Sequence, residues 1–165
     1  MKTLSLVRHA KSSWKNATLA DRDRPLNKRG KRDAPRMGKR LVRTGARPDL
    51  FISSPAVRAL ATAKTIAEEI GYPTDRIEVD ERIYLGGTSA LLTVISGLDD
   101  SHNHVMMFGH NPDLTELVHA LTGSHIENVP TCGIAHIELD SDAWQDIGSA
   151  DARLIEFDYP KRVDD

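Results

Sequence analysis

The hydrophobic positions of the chain fall into short runs whose period changes from one segment to the next. Nearly continuous apolar runs at residues 4–7, 50–53 and 105–108 are typical of buried strands, and a further short strand is predicted at 77–79. Between them, apolar residues recur at helical spacing over residues 28–45, 55–70, 88–98 and 111–121. This alternation predicts an α/β fold, a three-layer α/β/α sandwich around a mostly parallel central sheet.

The last third of the chain predicts an antiparallel edge for this sheet. In residues 134–139, positions that include the polar His136 and Glu138 alternate with apolar positions, which indicates a strand with one wetter face. Residues 152–157 are predicted to form its antiparallel partner. The charged tail from Asp158 onward is expected to fray. No linker or internal repeat interrupts the pattern, so residues 1–165 are interpreted as a single domain.

Proline and glycine mark the ends of the predicted helices. Ser54 and Asn111 each precede a proline, which predicts that they are N-caps with proline at the first helical position. Pro35 lies inside the first helical segment and should kink it or delay its regular part. The residues expected to end helices as C-caps are Gly45, Gly71 and Gly123.

Composition restricts the class of protein. The chain has 165 residues, of which 39% are hydrophobic and 28% charged, as is typical of a soluble globular protein. It has no apolar run near the roughly 20 residues that a membrane helix needs, so no membrane partner is expected. Cys132 is the only cysteine, which excludes an intrachain disulfide and makes a cytoplasmic location the expectation. No large exposed apolar stripe is evident, so a monomer is expected.

Charge is distributed unevenly along the chain. Residues 1–58 contain 16 Lys and Arg against 4 Asp and Glu, whereas residues 59–165 contain 6 against 20. Nine of the basic residues lie within 28–47, and one interpretation is a nucleic-acid-binding face. No aromatic residue interleaves with them to stack on bases, so a solvated helix face and no nucleic-acid partner are expected. Four basic residues of the preceding loop either help to bind an anionic partner or are solvated: Lys11, Lys15, Arg22 and Arg24.

Three predicted strands lead into residues that bind anions. The first run ends on Arg8 and His9, the second leads to a helix start that carries Arg58, and the third leads to His110. Carboxyl ends of parallel strands meet at one edge of the sheet, where α/β proteins bind ligands, so these side chains should converge. Helix N-termini add free N–H groups that favour anions. The pattern therefore predicts a phosphate site that contains imidazole side chains.

The motifs that carry these residues, LVRHA, SSPxxRAxxTA and GHNP, resemble in their order those of the histidine phosphatase superfamily. The short spacing between them resembles its small SixA-type branch of phosphohistidine phosphatases, with a phosphoglycerate mutase-like fold. The resemblance implies that His9 is the nucleophile and becomes phosphorylated. It also implies that Arg8, Arg58 and His110 complete the phosphate pocket.

Two further residues are assigned to the site. Glu81, in the segment VDERIY, matches the position of the family's proton donor to the leaving group, with Glu78 and Asp80 as nearby alternatives. Asn111 is counted among the phosphate-binding residues because it follows His110 at a predicted helix start. No role is assigned to the other histidines, and no metal or cofactor is expected, because no His-Glu helical pair or cysteine cluster occurs.

The function expected from these residues is a metal-independent phosphatase with a covalent intermediate on His9. Its partner would be a phosphorylated protein, in particular one that carries phosphohistidine, or a small phosphoester. One alternative is a phosphomutase acting on a small sugar phosphate, and another is a non-catalytic module that binds phosphate or phosphohistidine. Only 51 residues separate Arg58 from His110, which leaves no room for a helical subdomain over the site and favours an open pocket.

Overall fold

The structure, a computed structural model, describes residues 1–162. Within this part of the chain one sheet is formed by β1 (Lys2–Arg8), β2 (Leu50–Ser53), β3 (Glu78–Val79), β4 (His104–Gly109), β5 (Ile134–Leu139) and β6 (Ala152–Asp158). The strand order is β3-β2-β4-β1-β5-β6. The first four strands of this order are parallel, and β5 and β6 add an antiparallel edge.

Helices cover both faces of the sheet, with the bounds α1 (Lys28–Thr44), α2 (Val57–Ile70), α3 (Gly87–Ser96) and α4 (Asp113–Thr122). Successive strand residues point to opposite faces, so Val7 and Phe51 join the core beneath α1 and α2. Leu6 and Ile52 join the core beneath α3 and α4. The predicted three-layer fold, with its mostly parallel sheet and antiparallel edge, is confirmed.

The helices begin later than the proline positions predict. Helix α2 starts at Val57 because Ala56 keeps an extended ψ of 137°, and Ser54 Oγ accepts the N–H of Ala56 at 3.1 Å without capping the helix itself. Helix α4 starts at Asp113, two residues after Asn111. Helix α1, in contrast, runs without interruption through Pro35 from its first residue, so its regular part is not delayed.

Of two expectations about the end of the chain, one is confirmed and one is wrong. Strand β5 has one wetter face, on which Glu138 is partly exposed, although Ile134 on the same face lies in the core beneath α1 and α2. The tail does not fray over residues 158–162, because the buried guanidinium of Arg40 binds the Asp158 carboxylate at 3.0 Å and three backbone carbonyls beyond it. The remaining tail residues, 163–165, lie outside the described part. No helix within residues 1–162 has the length and apolar character that crossing a membrane requires.

Candidate active site

His9 follows the last residue of β1 directly and is almost fully buried. Its Nδ1 lies 2.7 Å from the carbonyl oxygen of Ala10. A carbonyl can only accept, so Nδ1 carries the hydrogen and the lone pair remains on Nε2. Burial, reinforced by the positive charges of Arg58 and Arg8, lowers the pKa of His9 to about 4. At neutral pH His9 is therefore a neutral imidazole whose free lone pair lies on Nε2.

The backbone around His9 is held by the start of α2. The N–H of Ala10 donates to Thr62 Oγ1 at 2.9 Å, and the Thr62 hydroxyl donates to the carbonyl of Arg58 at 2.8 Å. The N–H of His9 donates to the carbonyl of Gly109 at the end of β4. These bonds fix the backbone at His9 relative to α2 and to the end of β4.

Arg58 lies in the first turn of α2, and its Nε is 3.4 Å from His9 Nε2. Its Nη2 donates to Asp21 Oδ2 at 2.9 Å, and its Nη1 donates to the Asp21 carbonyl at 2.6 Å. Asp21 also accepts from the Tyr84 hydroxyl at 2.6 Å and from Arg24 Nε at 3.2 Å. The Tyr84 hydrogen bond and the Arg58 contact lower the pKa of Asp21 to about 2, so this carboxylate holds the Arg58 guanidinium beside His9.

Arg8 and Asn111 share one acceptor on the loop before β5. Arg8 Nη1 donates to the carbonyl of Val129 at 3.0 Å, and Asn111 Nδ2 donates to the same carbonyl at 2.8 Å. The Asn111 side-chain oxygen accepts from both the N–H and the hydroxyl of Thr115. Asn111 therefore ties this loop to α4 and supports Arg8, and a direct phosphate contact from Asn111 stays a prediction.

His110 faces His9 across the site, with 5.2 Å between the ring centroids. Its Nε2 lies 2.7 Å from Ser54 Oγ, which already accepts the N–H of Ala56 and can donate its own hydrogen to the ring. His110 then carries its hydrogen on Nδ1, a buried atom with no hydrogen-bond partner within residues 1–162. Burial, followed by the effects of His9 and Arg58, lowers the pKa of His110 to about 3.

Glu81 lies at the rim rather than against His9. Its side chain is exposed and pairs with Arg22 at 3.2 Å. The Arg22 guanidinium in turn lies over the ring of Tyr84, whose hydroxyl binds Asp21. Glu81 is thus connected to the pocket through two side chains, and its role as the proton donor stays a prediction.

Positive charge exceeds negative charge in this cluster. Three guanidinium groups, those of Arg8, Arg24 and Arg58, lower the pKa of His9, and two of them, Arg24 and Arg58, bind the carboxylate of Asp21. Burial and the neighbouring Arg58 lower the pKa of Arg8. Three buried nitrogen atoms of the site have no hydrogen-bond partner in the described chain: Arg8 Nε, Arg24 Nη1 and His110 Nδ1. A tetrahedral oxyanion such as phosphate would supply both the charge and the acceptors.

Three side chains to which the sequence patterns assign no role hold the others in place. Asp21 lies in the loop before α1 and is the acidic residue nearest His9 along this basic stretch of the chain. Thr62, the threonine of the motif SSPxxRAxxTA, stands one helical turn after Arg58, a spacing that puts both on one face of α2. Tyr84 closes the loop after β3 onto Asp21. Within residues 1–162 no group of three His, Cys, Asp or Glu side chains is arranged to hold a metal ion.

Comparison with known proteins relates this geometry to a family. Residues 4–84 match the model of the histidine phosphatase superfamily (branch 1). An uncharacterized chloroplastic protein of Arabidopsis thaliana is 31% identical over 151 residues, which cover 87% of this chain and 69% of the relative. A SixA protein of Agrobacterium tumefaciens, thought to be a phosphohistidine phosphatase, superposes with a TM-score of 0.81 at 27% identity, over 96% of this chain and 98% of that one.

The chain belongs to the histidine phosphatase superfamily. Within it, the chain is of the SixA type, and its fold is also that of a protein histidine phosphatase SixA in complex with tungstate. That match has a TM-score of 0.82 and 20% identity and covers 96% of this chain and 97% of the other. Family and neighbours together support a phosphoryl-transfer enzyme of the phosphatase or phosphomutase type.

Proposed function

We propose that this protein is a metal-independent phosphatase that hydrolyses a phosphate monoester or a protein phosphohistidine through a phosphoryl group on His9. The observation that carries the proposal is the neutral Nε2 of His9, which lies 3.4 Å from the Nε of the buried Arg58. A nucleophile beside a fixed cation is what phosphoryl transfer needs, because the reaction depends on positioning and on charge neutralisation. On this proposal residues 1–165 act as one catalytic domain.

In the first step the lone pair of His9 Nε2 attacks phosphorus. A bond between nitrogen and phosphorus forms, and the bond from phosphorus to the leaving oxygen or nitrogen breaks. Arg8, Arg58 and His110 donate to the phosphoryl oxygens, where the charge is spread in the transition state. The leaving group takes a proton from Glu81 or from water. His9 keeps the hydrogen on Nδ1, because the Ala10 carbonyl holds it there.

In the second step water attacks the phosphorus of phospho-His9. The bond between phosphorus and Nε2 breaks, the lone pair returns to the imidazole, and both hydrogens of the water leave with the phosphate. The step needs water to reach the phosphoryl group. Residues 59–109 contain only α2, β3, α3, β4 and two short 3-10 turns, with no helical subdomain to cover the site. This supports hydrolysis over a phosphomutase reaction, which must keep water out.

A quenched-flow experiment tests the proposal. The pure protein is mixed, with chelator present, with a phosphohistidine-bearing protein or with p-nitrophenyl phosphate, and the quenched samples are analysed by mass spectrometry. We expect an acid-labile phosphoryl group on His9 that appears and decays while inorganic phosphate is released. Binding of phosphate without any phosphoenzyme would instead support the binding-module alternative. Activity that is lost with chelator would contradict a metal-independent reaction.

A further inference from the structure

Helix α1 carries a row of exposed basic side chains on its outer side. We call this row the basic ridge; its members are Lys28, Lys31, Arg32, Arg36 and Lys39. Steps of three and four residues keep them on neighbouring positions of one helix face. The middle of the ridge borders an open groove of about 490 Å³ around Pro35, whose walls include Arg32, Arg36 and Lys39.

The charge of the ridge is not neutralised within the described part of the chain. Asp33 is the only acidic residue of α1; it is buried and pairs with Arg29 at 3.4 Å and with Arg32 at 3.8 Å. Among residues 1–162 no carboxylate forms an ion pair with Lys28, Lys31, Arg36 or Lys39. Four uncompensated positive charges on one helix face repel one another, so a negatively charged partner would stabilise them.

The ridge begins at the candidate active site. The N–H of Asn27 donates to the carbonyl of Lys11 at 2.9 Å, two residues after His9. Gly30 packs so closely on this segment that a Cβ atom there would lie 2.2 Å from the Lys11 oxygen. A second groove, of about 500 Å³, is lined by Lys15 together with the first residues of the ridge. The first turn of α1 is therefore fixed next to the segment that follows the nucleophile.

An exposed aromatic residue stands at the same junction. Trp14 is 76% exposed, the highest value among the large hydrophobic side chains together with Leu85. The guanidinium of Arg24 lies 3.4 Å from the centre of its ring and also binds Asp21, which holds Arg58. Trp14 is thus joined to Arg58 of the candidate active site through two side chains, Arg24 and Asp21. Exposed tryptophans next to charged rims are typical of protein–protein contacts.

We propose that the basic ridge, with Trp14 at its end near the pocket, docks an acidic surface of the phosphoprotein on which the site acts. The inference rests on the proposed function and names its substrate class. The helical rise from Lys28 to Lys39 is about 16 Å, which a small phosphoester at His9 cannot span but a protein can. Nucleic acid fits less well, because no aromatic residue lies on α1 and one face of Trp14 is covered by Arg24.

Charge reversal tests the ridge without touching the pocket. The ridge variant combines Lys31→Glu, Arg36→Glu and Lys39→Glu. The control variant makes the same change in charge outside the ridge with Arg47→Glu, Lys64→Glu and Arg76→Glu, all exposed residues. Circular dichroism and thermal melting verify that both variants fold. The substrates are a phosphohistidine on an acidic phosphocarrier protein and, separately, p-nitrophenyl phosphate.

We expect the ridge variant to lose roughly tenfold or more in kcat/KM on the acidic phosphoprotein at low salt, since complementary charge acts mainly on association. Its turnover of p-nitrophenyl phosphate should equal that of the wild type. The control variant should retain both activities, and the advantage of the wild type should shrink at high salt. A ridge variant with unchanged phosphoprotein turnover, or equal losses in both variants, would overturn the inference.

Binding separates a failure of the docking inference from a failure of the proposed function. If the wild type hydrolyses neither substrate, its affinity for the phosphorylated carrier still reports on the ridge. Binding that the ridge variant loses and the control variant keeps would support docking without hydrolysis, and an absence of binding would overturn both proposals. Tight binding of single-stranded RNA by the wild type, lost in the ridge variant while phosphoprotein turnover is unchanged, would assign the ridge to nucleic acid instead.

Discussion

Two pairs of histidines lie at different levels of the same sheet, and their chemistry differs. His9 and His110 follow the carboxyl ends of β1 and β4, whereas His104 and His136 lie toward the opposite edge, in β4 and β5. Six positions along the chain, about 20 Å of extended strand, separate His104 from His110, and His136 lies beside Ser5 in the middle of β1. Burial is the first cause of a lowered pKa in all four, to about 3 for His110 and about 4 for the others.

The pairs differ in what surrounds them. The hydroxyl of Ser5 bridges His104 Nε2 and His136 Nδ1, each at 2.7 Å. Arg8 and Arg58 lower the pKa values of the site pair further, whereas none of the described arginines acts on the pKa values of the Ser5-linked pair. A lowered histidine pKa therefore does not identify a reactive site by itself. Uncompensated cations and buried donors without a protein partner distinguish the site pair.

Replacement of His9 is expected to have the largest effect. The variant His9→Ala removes the proposed nucleophile and should lower kcat/KM for p-nitrophenyl phosphate by about 10³-fold or more. The matched variant His136→Gln removes an equally buried imidazole and should change kcat/KM by no more than about threefold. Steady-state kinetics on the two purified variants measure the contrast. Equal losses would show that the two pairs are not functionally distinct.

Asp21 is expected to have the next largest effect. The variant Asp21→Asn keeps the shape of the side chain but removes the charge that holds Arg58, so kcat/KM should fall by about 10- to 100-fold. The corresponding bridge in the other pair is removed by Ser5→Ala, which should cost about 1–3 kcal/mol of unfolding free energy and leave kcat/KM unchanged. Kinetics and urea unfolding of both variants test this. An unchanged kcat/KM in Asp21→Asn would show that Arg58 needs no such support.

The contrast between these residues also explains what the sequence could predict. Arg8, His9, Arg58 and His110 stand at strand ends and helix starts, which are local signals, and the sheet topology brings such ends together. Asp21 reaches Arg58 across 37 positions of sequence from a loop without regular period. No local pattern encodes that approach, because it depends on how the loop packs against α2.

The same limit applies to the fold. The sequence predicts strand β5 with its correct bounds, yet the burial of Ile134 on its wetter face depends on helices from distant parts of the chain. The basic segment 28–47 predicts that Arg40 is one of the solvated charges on α1, but Arg40 is buried and binds backbone carbonyls about 120 positions away. In this chain the secondary structure and the motifs of the candidate site can thus be predicted from neighbouring residues. The contacts that hold the site residues, and the burial of charged side chains, depend on the tertiary fold.

Lowering the pH should destabilise the protein through both pairs of histidines. An unfolded histidine has a pKa of about 6.5, above the folded values of about 3 to 4, so the unfolded state binds more protons between these pH values. Stability is full above about pH 6.5 and falls as the pH drops toward 4. Each histidine should lower the free energy of unfolding by roughly 1–2 kcal/mol between about pH 7 and pH 5.

Urea unfolding at the two pH values separates the contributions. The variant with both His104→Gln and His136→Gln should lose about half as much unfolding free energy between the two pH values as the wild type, since two of the four histidines are absent. Saturating inorganic phosphate should also reduce the wild-type loss, because a bound anion raises the pKa values of His9 and His110. A loss that is the same in the double variant as in the wild type would contradict the burial of the Ser5-linked pair.

The smallest effect is expected at Glu81, and it tests how far the site extends beyond its buried pair. The Glu81 side chain is exposed and paired with Arg22, so Glu81→Gln should leave the fold and the buried residues of the candidate active site unchanged. A proton donor matters most for a poor leaving group, so kcat/KM should fall by about tenfold for an alkyl phosphate and hardly at all for phosphohistidine. Arg22→Gln, which removes the ion pair but keeps the carboxylate, is the matched control. A similar loss for both substrates would show that Glu81 acts on the phosphoryl group or the structure rather than on the leaving group.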